Sequence, residues 1–168
     1  GYAEILKHSL IMNKNFFTYL EKNAENILKL KKPFLEKAIF QSCLIKKKII
    51  EKDEREKNIR QILNFGHTFA HAFEATNNYL KKLNHGEAVL LGIICAINFA
   101  YQNNNIKKND YKKIIHHYKK LNLPMSAKKF FSGKNIKKIL SFMKKDKKNN
   151  NSNINLVLLN KIGSVNFN

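Results

Sequence analysis

The chain has 168 residues, 43% of them hydrophobic, so it is long enough for one domain with its own core and too short to require two. This hydrophobic fraction argues against a wholly disordered protein. Its net charge of +20 raises nucleic acid or an anionic membrane as partners, but the lysines are scattered over nearly every segment without an aromatic-basic stacking motif, so we expect no nucleic-acid partner and rank a nucleic-acid-binding module last.

Helical periodicity dominates the first two-thirds of the chain and predicts a helical bundle. Ala3, Leu6 and Leu10 share one helix face. Pro33 opens a long helix, because proline is favoured at the first turn. The apolar face predicted for that long helix consists of Leu35, Ile39, Cys43 and Ile50. Further helices are predicted at residues 66–76, 85–101, 107–121 and 135–145.

The one convincing strand comes late in the chain. Residues 153–159 alternate between polar and apolar side chains before a turn predicted at Asn160-Lys161, and residues 162–165 complete a short hairpin. Residues 144–153 are rich in lysine and asparagine and are predicted to be the most mobile segment. The predicted fold class is therefore mainly α, a helical bundle with a short C-terminal β-hairpin.

Cysteine usage and hydropathy predict a cytoplasmic protein. Cys43 and Cys95 each lie in an apolar helical stretch without a Cys-x-x-Cys pair, which favours a reducing compartment over disulfides or thiolate zinc. The longest apolar run, residues 88–100, is too short to span a bilayer. Because the chain opens at Gly1 without an initiator methionine or a leader, we expect that it is cut from a longer protein.

Three of the six histidines fall between positions 67 and 85. His67 and His71 are four residues apart, which places both rings on one face of a helix, and His85 opens the next predicted helix. Imidazoles are favoured zinc ligands, and a catalytic zinc site typically keeps three protein ligands plus an open position. The spacing therefore predicts a metal site, and the alternative is a set of hydrogen-bonded structural histidines.

A polar strip precedes these histidines. Steps of three or four residues backward from His71 pass through His67, Asn64, Arg60 and Glu56. On one continuous helix these side chains share a face, which favours a site for a polar, anionic substrate. The prediction requires that the glycine at position 66 does not break the helix, and a solvated polar face is the alternative.

Two further charged positions are ambiguous. Lys46 lies in phase with the predicted apolar face of the long helix, where a buried ammonium needs an anion such as a ligand phosphate or carboxylate. The alternative is a lysine whose charged end reaches solvent. Glu4 and Lys7 lie one helical turn apart and by themselves predict an ordinary surface salt bridge.

Short motifs are distributed over nearly the whole chain. They are AEILK (residues 3–7), DERE (53–56), RQILNFGHTFAHAFE (60–74), HGEAV (85–89), DKK (146–148), VLL (157–159) and IG (162–163). In this order they resemble the 3-dehydroquinate synthase family of sugar-phosphate cyclases. The resemblance implies that the chain is a single helical metal- and substrate-binding domain over residues 1–168, and that an N-terminal α/β domain absent from it binds NAD.

The resemblance also implies roles for individual side chains. It implies zinc ligands at Glu4, His67 and His85, so that His71 handles protons or contacts substrate beside the metal. The remaining active-site residues that it implies are catalytic Lys7 and Glu56 and substrate-binding Lys46, Arg60, Asn64, Lys147 and Lys148.

The activity implied by the resemblance is the conversion of 3-deoxy-arabino-heptulosonate 7-phosphate into 3-dehydroquinate and phosphate in the shikimate pathway. NAD is used catalytically in this reaction, and Zn²⁺ or Co²⁺ acts as the Lewis acid. The family also implies a homodimer. Two related interpretations stay open: another sugar-phosphate cyclase, and an NAD-dependent metal alcohol or glycerol dehydrogenase.

Overall fold

The computed structural model describes residues 1–78, 83–145 and 153–166, which form a helical bundle closed by a small hairpin. The elements are α1 (Tyr2–Met12), α2 (Lys14–Leu28), α3 (Phe34–Lys52), α4 (His67–Thr76), α5 (His85–Gln102), α6 (Lys108–Lys120), α7 (Ile136–Lys144), β1 (Leu158–Lys161) and β2 (Ser164–Asn166). Short 3-10 helices cover Ile59–Asn64, Ala127–Lys129 and Gly133–Asn135. The predicted fold class is confirmed. No individual helix had been predicted at the position of α2.

The two most buried helices, α1 and α5, pack against each other at the centre of the molecule. Helix α1 also contacts α2 and α3, and its buried residues run from Ala3 to Ile11 on nearly every face. Helix α5 is apolar along most of its length and packs against α4. Because α1 is central, the charged side chains of its first two turns lie close to the interior.

Helix α3 begins after Pro33 as predicted, but its predicted apolar face is wrong. The residues that α3 buries are Ala38, Ser42, Ile45 and Ile49, whereas Ile39 is 46% exposed and Cys43 is exposed. The buried stripe contains two small residues, and one of them, Ser42, contacts His8 of α1. Periodicity alone identified an apolar stripe without showing which side the neighbouring helices cover.

The continuous polar helix predicted from Glu56 to His71 is also wrong. Gly66 has φ +78°, and it separates the 3-10 helix Ile59–Asn64 from α4, which begins at His67. A Cβ atom on Gly66 would lie 2.7 Å from the Ile93 backbone nitrogen, so both the conformation and the contact with α5 require glycine.

The hairpin is confirmed, but its strands lie later than predicted. Strand β1 starts at Leu158 and includes both Asn160 and Lys161, and the chain reverses at Ile162-Gly163. Gly163 has φ +88°, which explains why the turn forms there rather than at the predicted Asn-Lys pair. The Gly163 backbone N–H donates to the Leu10 carbonyl at 2.7 Å and attaches the hairpin to α1.

Most of the predicted mobile segment, residues 144–153, lies outside the described residues, and so do Lys147 and Lys148. Predictions for these positions stay predictions. Within the described ranges, no helix is both long enough and apolar enough to cross a membrane.

Candidate metal and substrate site

A cavity of about 230 Å³ opens where α1, α3, the 3-10 helix Ile59–Asn64 and α4 meet. Its wall consists of Glu4, Lys7, His8, Lys46, Glu56, Arg60, Leu63, Asn64 and His67. Apart from His8 and Leu63, all of these are residues that the sequence singled out. All members of the polar strip except His71 therefore line one cavity, although the strip does not follow one helix.

Three candidate metal ligands come together beside this cavity, and two of them, Glu4 and His67, also line it. Glu4, His67 and His85 offer ligand atoms that all lie within 4.8 Å of one another. Glu4 belongs to α1, His67 is the first residue of α4, and His85 is the first residue of α5. The packing of three helices thus joins side chains that are far apart in sequence.

Hydrogen bonds determine which ring nitrogen each histidine presents. His67 Nδ1 donates to the Phe65 carbonyl at 3.3 Å, and His85 Nδ1 donates to Glu74 Oε1 at 3.0 Å. Because a carbonyl or carboxylate oxygen only accepts, the neutral form of each ring carries its hydrogen on Nδ1 and presents the lone pair of Nε2. A lone pair on Nε2 is what a metal ligand requires.

The Glu4 carboxylate completes the same arrangement. Its Oε1 lies 3.7 Å from His67 Nε2 and is buried without a hydrogen-bond partner among the described residues. An oxygen lone pair that faces a nitrogen lone pair is unfavourable unless a cation lies between them. The donor set, two imidazoles and a carboxylate, fits a zinc-type ion.

Lys7 supports the charge of Glu4. Its Nζ lies 2.8 Å from Glu4 Oε2, so the salt bridge predicted from spacing forms, but the lysine side chain is almost fully buried rather than on the surface. Although burial opposes it, the Lys7 ammonium lowers the pKa of Glu4 below its ordinary value. Burial and the same ammonium lower the pKa of His67 to about 4, which keeps this ring neutral near pH 7.

The sequence profile of the 3-dehydroquinate synthase C-terminal family matches residues 1–149. The chain belongs to this family. It is 59% identical over 164 residues to a 3-dehydroquinate synthase of Pelagibacter ubique, and 40% identical over 166 residues to one of Endomicrobium trichonymphae. Each comparison covers 98% of this chain, but the chain spans only 45% and 44% of the length of these two relatives.

Solved sugar-phosphate cyclases share the fold of this 3-dehydroquinate synthase family member. A 2-epi-5-epi-valiolone synthase from Streptomyces hygroscopicus, with NAD⁺ and Zn²⁺ bound, matches 99% of the chain with a TM-score of 0.84 at 19% identity, over 45% of its own length. A 2-deoxy-scyllo-inosose synthase with carbaglucose-6-phosphate, NAD⁺ and Co²⁺ matches the whole chain, over 45% of its own length, with a TM-score of 0.74 at 24% identity. At these identities the comparison establishes the fold alone.

The loop after α3 places the substrate-binding candidates of the 3-dehydroquinate synthase domain. Asp53, at the end of α3, accepts backbone N–H bonds from Lys57, Asn58 and Arg60 at 2.7–3.0 Å. Burial of this carboxylate opposes ionisation, but these three donors and the Arg60 charge lower the pKa of Asp53 below its ordinary value. The Arg60 guanidinium also donates to the Glu54 carbonyl, so the loop is held at both ends.

Glu56 and Asn64 form a pair within the cavity wall. Asn64 Nδ2 donates to Glu56 Oε1 at 2.9 Å. The backbone of Glu56 has φ +55°, a left-handed conformation that is costly for a residue with a side chain and tends to cluster at functional sites. The fold therefore maintains a strained backbone that brings this carboxylate to the amide.

Lys46 and His71 lie at the margins of the site. Lys46 is exposed on α3 and lines the cavity, so of the two interpretations left open for it the structure favours a lysine whose charged end reaches solvent. His71 is exposed on α4, and its ring centroid lies 5.5 Å from that of His67. Both side chains are therefore accessible from outside the protein.

Two site residues were missed by sequence reasoning. Glu74 is the last residue of the motif at residues 60–74, and no role was predicted for it, but its bond to His85 sets the tautomer of that ring. His8 is buried in the cavity wall and bonds Ser42 on α3 through Nδ1 at 2.7 Å. The spacing of seven residues between His67 and Glu74, two helical turns, could have indicated Glu74. Nothing in the sequence indicates that His8 contacts Ser42.

Close helix packing also contributes to the site. A Cβ atom on Gly92 of α5 would lie 2.0 Å from the Gly66 carbonyl oxygen. Gly66 immediately precedes His67, so the contact between the two glycines sets the position of His67 relative to α5, the helix that carries His85.

Proposed function

We propose that the protein carrying this chain is a 3-dehydroquinate synthase, which converts 3-deoxy-arabino-heptulosonate 7-phosphate into 3-dehydroquinate and phosphate in the shikimate pathway. The main support is the position of three candidate metal ligands beside a cavity that Lys7, Lys46 and Arg60 also line. Family membership and the names of the two relatives favour this reaction over those of other cyclases.

Glu4, His67 and His85 are the proposed ligands of Zn²⁺ or Co²⁺. When bound, the metal supplies a Lewis acid that polarises a substrate oxygen. The two Nε2 lone pairs and the unpartnered, buried Oε1 of Glu4 support this assignment. The side chain of His67 is 14% exposed and that of Glu4 is 38% exposed, whereas His85 is 58% exposed and forms the solvent side of the set.

The substrate carries a carboxylate and a phosphate, and the cavity supplies cations for both. Lys46 and Arg60 are the proposed partners of these anions, since a guanidinium forms planar, paired hydrogen bonds with carboxylate or phosphate oxygens. Asn64, oriented by Glu56, offers polar contacts to substrate hydroxyls. Lys147 and Lys148 are proposed as further substrate contacts from the motif that contains them.

Proton transfer is assigned to groups next to the proposed metal ligands. His71 would accept or donate a proton at a ring nitrogen, because a neutral imidazole has one donor and one acceptor nitrogen. Lys7, buried against Glu4, would stabilise negative charge that develops on the substrate. Glu56 is the third proposed catalytic residue. Its hydrogen bond with Asn64 would hold both side chains in position for the reaction.

NAD is proposed to bind mainly to a separate N-terminal α/β domain. This is supported by the chain's share of its relatives' length and by the lack of a glycine-rich nucleotide-binding motif in its sequence. The resemblance to the family further supports a homodimer that works in the cytoplasm.

The reaction can be tested on the full-length protein with 3-deoxy-arabino-heptulosonate 7-phosphate, NAD and Zn²⁺. We expect release of phosphate and formation of 3-dehydroquinate without net accumulation of NADH. Net NADH would instead indicate an alcohol or glycerol dehydrogenase, and turnover only with a different sugar phosphate would indicate another cyclase. Activity of the 168-residue chain by itself would contradict the proposed role of a separate NAD domain.

The division between metal and proton roles can be tested by substitution. His67→Ala and Glu4→Ala should each lose bound zinc together with activity, because each removes a ligand. His71→Ala should retain stoichiometric zinc and lose about 10²-fold or more in turnover, the usual contribution of general acid-base catalysis. Metal analysis separates the cases: zinc retained by Glu4→Ala, or lost from His71→Ala, would overturn the assignments.

A further inference from the structure

A buried imidazole beside Glu4 has no role in the proposed function. His8 follows Lys7 on α1, lines the cavity and is 3% exposed. Its Nε2 is buried without a hydrogen-bond partner among the described residues. Buried polar nitrogens are nearly always satisfied in folded proteins, so one that faces a candidate site requires an explanation.

The surroundings of His8 show what its free nitrogen faces. His8 Nε2 lies 3.9 Å from Glu4 Oε2, the oxygen that Lys7 also contacts. The other oxygen, Oε1, faces His67. The two oxygens of Glu4 are thus divided between α1 on one side and the proposed metal position on the other.

Ser42 determines the orientation of the His8 ring. Its hydroxyl is buried on α3 and lies 2.7 Å from His8 Nδ1. If the hydroxyl donates to Nδ1, the neutral ring carries its hydrogen on Nε2 and presents it to Oε2. At 3.9 Å this contact is electrostatic rather than a hydrogen bond.

We propose that His8, held by Ser42, is a positioning residue that keeps Glu4 Oε2 on the α1 side and so leaves Oε1 directed at the metal. The inference rests on the proposed metal site and adds an outer contact to it. Partners that orient ligands in this way typically change metal affinity 10- to 100-fold when they are removed.

The test measures Zn²⁺ affinity of the full-length protein by competition with a chromophoric chelator. His8→Leu should weaken binding by about 10-fold or more, since it removes both ring nitrogens. His8→Gln, whose amide nitrogen reaches toward the position of Nε2, should restore affinity to within about 3-fold of wild type. A residue that only fills space would not show this rescue.

A matched pair of serine substitutions provides the second arm. Ser42→Ala removes the hydroxyl that holds His8, and we expect it to weaken Zn²⁺ binding by about 3-fold or more. Ser9→Ala also removes a buried hydroxyl, which donates to the Leu6 carbonyl at 2.7 Å on α1. The Ser9 substitution should leave affinity unchanged. If His8→Leu does not fold, this pair decides the question.

Wild-type affinity in His8→Leu, or equal affinities in Ser42→Ala and Ser9→Ala, would overturn the inference while leaving the proposed ligand set intact. Failure of the wild-type protein to bind Zn²⁺ or Co²⁺ would overturn the metal site itself and the inference with it. The visible spectrum of the Co²⁺ form gives an independent readout, because a reoriented Glu4 should change it in His8→Leu but not in Ser9→Ala.

Discussion

At the scale of single residues, hydrogen bonds rather than the candidate ligands themselves account for much of the geometry of the site. Glu74 sets the tautomer of His85, and the Phe65 carbonyl sets that of His67. Lys7 donates a hydrogen bond to one carboxylate oxygen of Glu4. Each outer partner leaves one lone pair directed toward the same small volume. Removing such a partner should affect metal binding more than folding.

Glu74 allows a direct test of this view. Glu74→Ala should weaken Zn²⁺ binding by about 10- to 100-fold, because His85 loses the acceptor that keeps its hydrogen on Nδ1. Glu74→Gln keeps a carbonyl oxygen as acceptor and should lose less. Chelator competition gives the affinities, and thermal unfolding of the metal-free proteins checks that both variants fold. Equal affinities in wild type and Glu74→Ala would contradict the role of Glu74.

At the scale of elements, the site depends on how closely α4 approaches α5. Gly66 and Gly92 touch at this crossing, and a side chain at either position would force the helices apart. The loop 53–60 has a similar dependence on Asp53, which satisfies three backbone donors and thereby orients Arg60. Each of these two elements can be tested by one substitution.

Gly92→Ala should destabilise the fold by about 1–3 kcal/mol, as overpacking typically does, and should weaken metal binding by moving His67 relative to His85. Gly86→Ala is the matched control on the same helix, because its Cβ would meet only Asn84 Oδ1 at an ordinary 3.6 Å. Urea unfolding should show the control to be as stable as wild type or more so. Comparable losses in both variants would argue against the glycine contact.

Asp53 predicts a pH dependence of stability. The pKa of Asp53 is lowered in the folded state. Its contribution to the free energy of unfolding is therefore fully present above the unfolded pKa of about 3.9, and it is lost as the pH falls through the folded-state pKa. The difference in unfolding free energy between wild type and Asp53→Asn should therefore be constant from about pH 7 to 5 and shrink below about pH 4. Urea titrations at each pH measure it, and a difference that grows in acid would refute the account.

At the scale of the whole molecule, a net charge of +20 destabilises the folded state through repulsion between like charges. Three of the positive side chains, Lys7, Lys46 and Arg60, line the same cavity. Screening by salt should relieve the general repulsion. An anion that fits the cavity should add a further, site-specific stabilisation through binding to the folded state alone.

Inorganic phosphate should accordingly raise the melting temperature more than sodium chloride at the same ionic strength. Arg60→Met should reduce this phosphate-specific increment and keep the general effect of salt. Lys112→Met, which removes one positive charge from an exposed position on α6, should retain both effects. Calorimetry or dye-monitored melting provides the measurement, and equal increments in all three proteins would show that the cavity does not select the anion.

Much of the fold could be predicted from local sequence. Pro33 marked the start of α3, the period of apolar residues predicted α4 through α7 to within a few positions, and the late alternating segment predicted the hairpin. Local sequence patterns gave wrong predictions where a contact between distant parts of the chain determines the backbone conformation. Gly66 breaks the polar helix to meet α5, and Gly163 moves the turn to where the hairpin contacts Leu10.

The sequence by itself determined the chemistry of the site: three histidines within nineteen positions, a polar strip with Arg60 and Asn64, and motifs that identified a family. Only the tertiary structure decided which side chains meet. It joined Glu4 to His67, exposed Lys46 and paired His8 with Ser42. Periodicity describes a residue's angle about its own helix axis, whereas these outcomes depend on which faces of α1, α3 and α5 pack together, and that is settled by contacts distant in sequence.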